Sequence, residues 1–195
     1  MFTGIIEAEG KIQEVISENG TLVLHIESEI ASELKVDQSV AHNGICLTVI
    51  EVNPPFYTVC AVQETIEKTS ISGWKANELI NLERCMKLND RLDGHLVQGH
   101  VDTKAVCIQR MEAPNNWTFR FQIPEKFAPL IIEKGSVCVN GTSLTCFNVS
   151  KDTFDVAIIP YTFAHTTIRF VKEHDEVNIE FDVIGKYISR MKQVS

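Results

Sequence analysis

A cysteine and a serine hold the same place in a repeated phrase. Ser39-Val40-Ala41-His42-Asn43-Gly44-Ile45-Cys46-Leu47-Thr48 returns as Ser136-Val137-Cys138-Val139-Asn140-Gly141-Thr142-Ser143-Leu144-Thr145. Cys46 thus stands where Ser143 stands. A thiol is a nucleophile when a neighbour lowers its pKa, and otherwise packs as a small apolar group. A hydroxyl at the equivalent place needs a hydrogen-bond partner if it is buried. Two Gly-His pairs lie in Asp93-Gly94-His95-Leu96-Val97-Gln98-Gly99-His100-Val101-Asp102. Five residues apart, these imidazoles face opposite sides of a strand, so a shared metal ion is disfavoured. Thr3-Gly4-Ile5-Ile6-Glu7 aligns with Gln98-Gly99-His100-Val101-Asp102, pairing apolar Ile5 with titratable His100. Asp182, which aligns with Cys85, can orient a histidine or a hydroxyl. Thr48 with Thr145, and Thr65 with Thr162, supply duplicated hydroxyls suited to a polyhydroxylated ligand.

The register that carries Ser39 onto Ser136 also carries Glu64-Thr65 onto Tyr161-Thr162, Thr69 onto Thr166, and Asn81-Leu82-Glu83 onto Asn178-Ile179-Glu180. One register held over so many stretches means a duplicated domain, and unlike residues at matching places suggest divided labour. The expected units are 1–90, 91–182 and a C-terminal segment 183–195, with the halves joined between Arg84 and Gly94. Within each half, short alternating apolar runs are broken by turn signals. Examples are Thr21 to Ile26 after Glu18-Asn19-Gly20, Leu47 to Val52 before Asn53-Pro54-Pro55, and Trp117 to Ile123 after Asn115-Asn116. This punctuation predicts an all-β chain of two closed antiparallel barrels, with a pair of sandwiches as the competing answer. One short helix is expected per half, over Glu29 to Leu34 and over Pro124 to Glu133. Val183, Ile184, Tyr187, Ile188 and Met191 fall at helical spacing and make an apolar stripe on a short C-terminal helix. That stripe either folds back on its own barrel or joins another copy.

Composition narrows the function classes. The chain has 195 residues, 44% of them hydrophobic, and a net charge of −8. No basic face is offered to nucleic acid or to an anionic membrane. No apolar run reaches the ~18 residues of a membrane span, and Met1 to Ile5 lacks the marks of a signal peptide. Six cysteines without a Cys-x-x-Cys motif fit reduced thiols in a cytoplasmic setting. The phosphate-loop, dinucleotide, zinc-hydrolase and serine-hydrolase signatures are absent from the sequence.

The chain resembles the trimeric, two-barrel riboflavin synthases over nearly its whole length. The resemblance is carried by Met1 to Glu7, Ser39 to Val49, Glu64-Thr65, Ile80 to Arg84, Gly94 to Asp102, Lys134-Gly135-Ser136, Gly141 to Thr145, Ile159-Pro160 and Asn178-Ile179-Glu180. It departs from the family's usual pattern at Asp93, Thr103 and Cys146, none a proposed catalytic side chain. The resemblance implies two tandem six-stranded Greek-key barrels and a homotrimer joined through the C-terminal helix. It implies a transferase reaction in which two molecules of 6,7-dimethyl-8-ribityllumazine exchange a four-carbon unit, with no metal or redox cofactor. One lumazine would occupy the N-terminal barrel of one subunit and the other the C-terminal barrel of a neighbour. His100 is expected to transfer protons, with Ser143 beside it and Asp182 in support, while Cys46 and Ser39 serve the acceptor. Ring and ribityl chain would be bound by Gly4, Ile5, Ile6, Cys46, Leu47, Thr48, Cys60, Ala61, Val62, Gln63, Glu64 and Thr65. The second set is Gly99, His100, Val101, Lys134, Ser143, Leu144, Thr145, Ile158, Ile159, Pro160, Tyr161, Thr162 and Phe163. An association with lumazine synthase is left open. The competing reading is a non-catalytic lumazine- or flavin-binding protein of the same double barrel.

Overall fold

The computed structural model describes residues 1–18 and 20–194; Asn19, from the expected turn Glu18-Asn19-Gly20, lies outside them. Six strands make the first barrel: β1 (Ala8–Glu18), β2 (Thr21–Glu27), β3 (Ser39–His42), β4 (Ile45–Asn53), β5 (Phe56–Ala61) and β6 (Leu79–Arg84). They close in the order β1-β2-β5-β4-β3-β6. The second barrel repeats this with β7 (Thr103–Ala113), β8 (Asn116–Gln122), β9 (Ser136–Val139), β10 (Thr142–Phe147), β11 (Thr153–Ile158) and β12 (Glu176–Phe181). Its order, read from β7, is β7-β8-β11-β10-β9-β12. Both are closed antiparallel barrels, so the sandwich alternative falls. β1 and β7 each carry a bulge at matching places, between Ile12 and Glu14 and between Cys107 and Gln109. Such bulges add the local twist that closure requires.

Alternation along the strands fills the interiors. Leu24, Ile26, Val49, Tyr57 and Val59 pack inside the first barrel. Phe119, Phe121, Phe154 and Val156 fill the second. The same architecture thus tolerates an aliphatic core and an aromatic one, as expected where volume and pattern are kept.

The helical content differs from expectation in two respects. The segments Glu29–Glu33 and Glu125–Leu130 are 3₁₀ turns, the second interrupted by Pro129. Each half also has a six-residue helix after its fifth strand, α1 (Gln63–Lys68) and α2 (Pro160–His165), which the sequence pattern does not announce. Six residues are under two turns, too few to show a helical period. The C-terminal helix α3 (Val183–Val194) is present, with Ile184, Tyr187, Ile188, Met191 and Val194 exposed.

The two barrels meet across an internal pseudo-twofold axis. Gly44 and Gly141 lie back to back, and a Cβ on Gly44 would sit 2.8 Å from the Gly141 nitrogen. Four buried asparagines surround them. Asn81 Nδ2 donates to the Asn140 carbonyl at 2.8 Å, and Asn178 Nδ2 donates to the Asn43 carbonyl at 3.0 Å. The Asn81 and Asn178 side-chain oxygens accept from Thr167 N and Ser70 N. Arg169 reaches Glu9 of the other barrel with two charge-assisted bonds. Buried amides left unpaired would be costly, so this reciprocal set fixes one barrel's position on the other.

Candidate functional site

Two short loops cross between the barrels, and each presses on the opposite half. Gly99 (φ +79) packs on Cys46: a Cβ there would lie 2.5 Å from the Cys46 Cβ. The Cys46 amide donates to the Gly99 carbonyl at 2.9 Å. Gly4 (φ +78) packs on Ser143 in the same way, with a hypothetical Cβ contact of 2.6 Å. The Ser143 amide donates to the Gly4 carbonyl at 2.8 Å. Only glycine combines a left-handed backbone with so close an approach. The strand bearing Cys46 is therefore completed by the second half's leading loop, and the strand bearing Ser143 by the first half's.

Each loop is held by a buried carboxylate at equivalent places in β6 and β12. Glu83 accepts from Thr3 N at 2.6 Å, Thr3 Oγ1 at 2.7 Å and Gly4 N at 3.0 Å. Glu180 accepts from Gln98 N at 2.7 Å and from Gly99 N and His100 N at 2.9 Å each. Burial raises both pKa values, and the amide hydrogen bonds oppose that shift. These two acids are absent from the expected site residues. Their signal was the repeated Asn81-Leu82-Glu83 and Asn178-Ile179-Glu180.

Against the first barrel lies a cavity of about 450 Å³. Ile45, Cys46, Glu64, Thr65, Lys68, Thr69, Gly99, His100 and Val101 line it. It joins the expected residues Cys46, Glu64, Thr65, Gly99, His100 and Val101, and adds Ile45, Lys68 and Thr69. Lys68 and Glu64 form an ion pair of 2.6 Å on α1. Burial raises the Cys46 pKa; a hydrogen bond with Ser39 and the N-terminal ammonium oppose this. Burial thus works against the activated thiolate that a nucleophilic reading would want. Ser39 and Ile5 open onto a larger cavity of about 880 Å³, rimmed by charges of both signs: Lys35, Arg84, Lys87 and Arg91 with Glu7, Glu33, Glu83, Asp90 and Asp93.

The second barrel presents a different lining. Its α2 carries Tyr161 and His165 where α1 carries Glu64 and Lys68, and these rings stack at 4.2 Å. Phe163 stacks flat on Trp117 with centroids 3.8 Å apart, so that face of the ring is occupied. Lys134 has φ +63, and its ammonium lies 5.7 Å from the centre of the Phe147 ring. Thr162 is half-buried, while Ile159, Pro160 and Thr145 are exposed.

Several expected binders take other positions. Leu47, Ala61 and Ile158 point into the barrel cores and are buried. Strand alternation explains this: Cys46 and Thr48 face out, so Leu47 between them faces in. Leu144 packs against the second core. Cys60 is half-buried beside Thr48 on the ladder, Ile6 is half-buried, and Val62 and Gln63 are exposed.

Within one chain the two histidines part. His100, expected beside Ser143, is exposed and lines the Cys46 cavity. Within the chain the partner of Ser143 is His95, whose Nδ1 lies 2.7 Å from Ser143 Oγ. His95 is only 7% exposed. Burial lowers its pKa, and the Asp182 charge opposes the shift. Asp182 also accepts from Ile184 N at 2.9 Å, capping α3. So Ser143, His95 and Asp182 form one group, and Cys46, Ser39 and His100 another.

Comparison with known proteins agrees with this duplicated plan. The family described as "Lumazine binding domain" matches twice, over residues 3–85 and 98–182. The riboflavin synthase of Brucella abortus (strain 2308) is 40% identical over 199 residues, covering 99% of this chain and 98% of its own. That of Bacillus subtilis (strain 168) is 37% identical, covering 97% and 89%. Among solved structures, LumP complexed with riboflavin superposes with a TM-score of 0.87 at 19% identity, over 93% of this chain and 99% of that one. At that identity the likeness speaks for the fold.

Proposed function

The chain belongs to the riboflavin synthase family, and we propose on that premise how its two unlike pockets divide one reaction. It is a transferase in which two molecules of 6,7-dimethyl-8-ribityllumazine react by transfer of a four-carbon unit. Riboflavin and 5-amino-6-ribitylamino-uracil are the products. The observation that carries the division of labour is the pair of crossing loops, Gly99 on Cys46 and Gly4 on Ser143. They frame two equivalent places with unlike polar surroundings, the cavity beside Cys46 and the second barrel's surface at Ser143. Relatives 34–40% identical bear the enzyme's name, which favours it over a non-catalytic lumazine- or flavin-binding protein.

The chemistry asks for orientation more than for strong acids or bases. The lumazine 7-methyl group is acidic because its carbanion delocalises into the ring. Holding two heterocycles face to face is worth up to ~7–11 kcal/mol in favourable cases. Positioned proton carriers add about 10²–10⁴-fold. In this reading the second barrel, with Ser143 and Asp182, binds the lumazine that loses its methyl proton. The first barrel, with Cys46, Ser39 and His100, binds the one that accepts. Thr48, Thr65, Thr145 and Thr162 bind ring and ribityl hydroxyls, and Lys134 assists. The exposed apolar stripe of α3 joins three copies, so that unlike pockets of neighbouring protomers face each other. Six unpaired cysteines support a cytoplasmic setting. No helix among the described residues is long and apolar enough to cross a membrane.

The test is to incubate the purified protein with the lumazine alone. Riboflavin fluorescence should rise with two lumazines consumed per riboflavin formed. Tight binding without product would favour the non-catalytic reading.

A further inference from the structure

Equivalent residues of the two halves also line a third cavity, a groove of about 610 Å³ that shares no lining residue with the Cys46 cavity. Its size is that of a small-molecule site. Asn43 and its repeat partner Asn140 lie in its wall, each only 8% exposed. Their backbone amides donate to the Asn81 and Asn178 carbonyls at 2.9 Å. Their carbonyls accept from the Asn178 and Asn81 side chains. Their side-chain oxygens accept from Asn81 N and Asn178 N at 2.8 Å each. A backbone N–H can only point at an acceptor, so that end of each carboxamide is the oxygen. Nδ2 is thus the one polar atom each residue has left. Among the described residues, neither Nδ2 has a hydrogen-bond partner. A paired set of nearly buried donors so left over asks for a ligand with paired acceptors.

The rest of the groove narrows the ligand further. Trp74 forms one wall and is fixed by its Nε1–H, which donates to Ser70 Oγ at 3.2 Å. Phe170, 51% exposed, stands in the groove as well. The rim is acidic, with Glu78 and its repeat partner Asp175. One oxygen of each accepts from a backbone amide, Lys75 N at 3.1 Å and Lys172 N at 2.8 Å. The second oxygen of each can accept from a ligand.

We propose that this groove binds a planar pyrimidinedione bearing amino groups, the class of the reaction's second product, 5-amino-6-ribitylamino-uracil. The choice of that compound rests on the proposed reaction. In such a ring two carbonyl oxygens flank one N–H and are related by a local twofold, matching the paired Nδ2 donors. Trp74 and Phe170 offer ring faces for stacking. The amino groups on the opposite edge donate to Glu78 and Asp175. Dimethylribityllumazine and riboflavin share the dione but have no amino group on that edge, so the carboxylates favour the diamine over both.

Anaerobic titration of the full chain with 5,6-diaminouracil, which lacks the ribityl chain, tests this. The side-chain amide resonances of Asn43 and Asn140 in ¹⁵N spectra should move together and saturate. Glu78→Gln combined with Asp175→Asn keeps an oxygen for each backbone amide but removes the charge. It should weaken diamine binding at least about tenfold. Uracil, with the dione alone, should bind the wild type more weakly than the diamine. Absence of saturation, or shifts confined to Cys46, His100 or Ser143, would overturn the site. Equal wild-type affinity for uracil and the diamine would overturn the choice of ligand, and this comparison decides if the double variant does not fold. Riboflavin formation by a protein that does not bind the diamine here would overturn this inference alone. Binding here by a protein that forms no riboflavin would support the site and overturn the proposed reaction.

Discussion

Gly99 sets the tightest steric limit in the first pocket. Its φ of +79 and the 2.5 Å approach to Cys46 leave no room for a methyl group. Left-handed backbone costs a non-glycine residue about 1–2 kcal/mol, and overpacking adds about 1–3 kcal/mol. Gly99→Ala should therefore destabilise the protein by about 2–5 kcal/mol and lower turnover at least tenfold. Gly73→Ala, in open space, should change neither. Chemical denaturation and a fluorescence assay check both. His42 offers a separate test. It is fully buried against the Tyr57 hydroxyl at 2.9 Å, and burial lowers its pKa to about 4. A depressed histidine pKa means that stability is complete above about 6.5 and is lost as pH falls toward 4. The loss is about 3 kcal/mol at most. Stability measured at pH 7 and pH 4.5 should differ markedly less in His42→Gln than in the wild type. Residue types were legible in the sequence as a list of candidates. Their partners were not: His95 and His100 look alike as Gly-His pairs, and only the crossing of the chain sends one to Ser143 and the other to Cys46.

At the scale of elements, the crossing loops depend on Glu83 and Glu180. Each carboxylate satisfies amides that would otherwise be orphaned beside the pocket. Glu180→Ala should speed hydrogen exchange at Gln98, Gly99 and His100 while leaving the amides of β8 and β11 protected. Equal exchange at the loop before and after substitution would show that the carboxylate does not hold it. Strands and barrel closure were legible because alternation and turn residues recur at fixed spacing, as in Leu22, Leu24 and Ile26. The small helices α1 and α2 were hidden by their length. The cradling role of Glu83 and Glu180 was hidden because a repeated acid on a strand looks like a solvated one until the fold buries it.

At the scale of the molecule, duplication explains both the shared plan and its division. The register from Ser39 to Ser136 was enough to read two barrels, and the asparagine set around Gly44 and Gly141 shows what joins them. Removing the chain after Asp182 takes away α3 and its exposed Ile184, Tyr187 and Ile188. Sedimentation should then find trimers for the full chain and monomers for the shortened one; a shortened chain that still forms trimers would place the contact elsewhere. The central claim is that each barrel, completed by the other half's loop, holds its own lumazine. Crystals grown with an unreactive lumazine analogue test it most directly. Two analogues per chain are expected, one against Cys46 and His100 and one against Ser143 and Thr162. Occupancy of a single pocket, or of the groove between Trp74 and Phe170 in place of both, would contradict it.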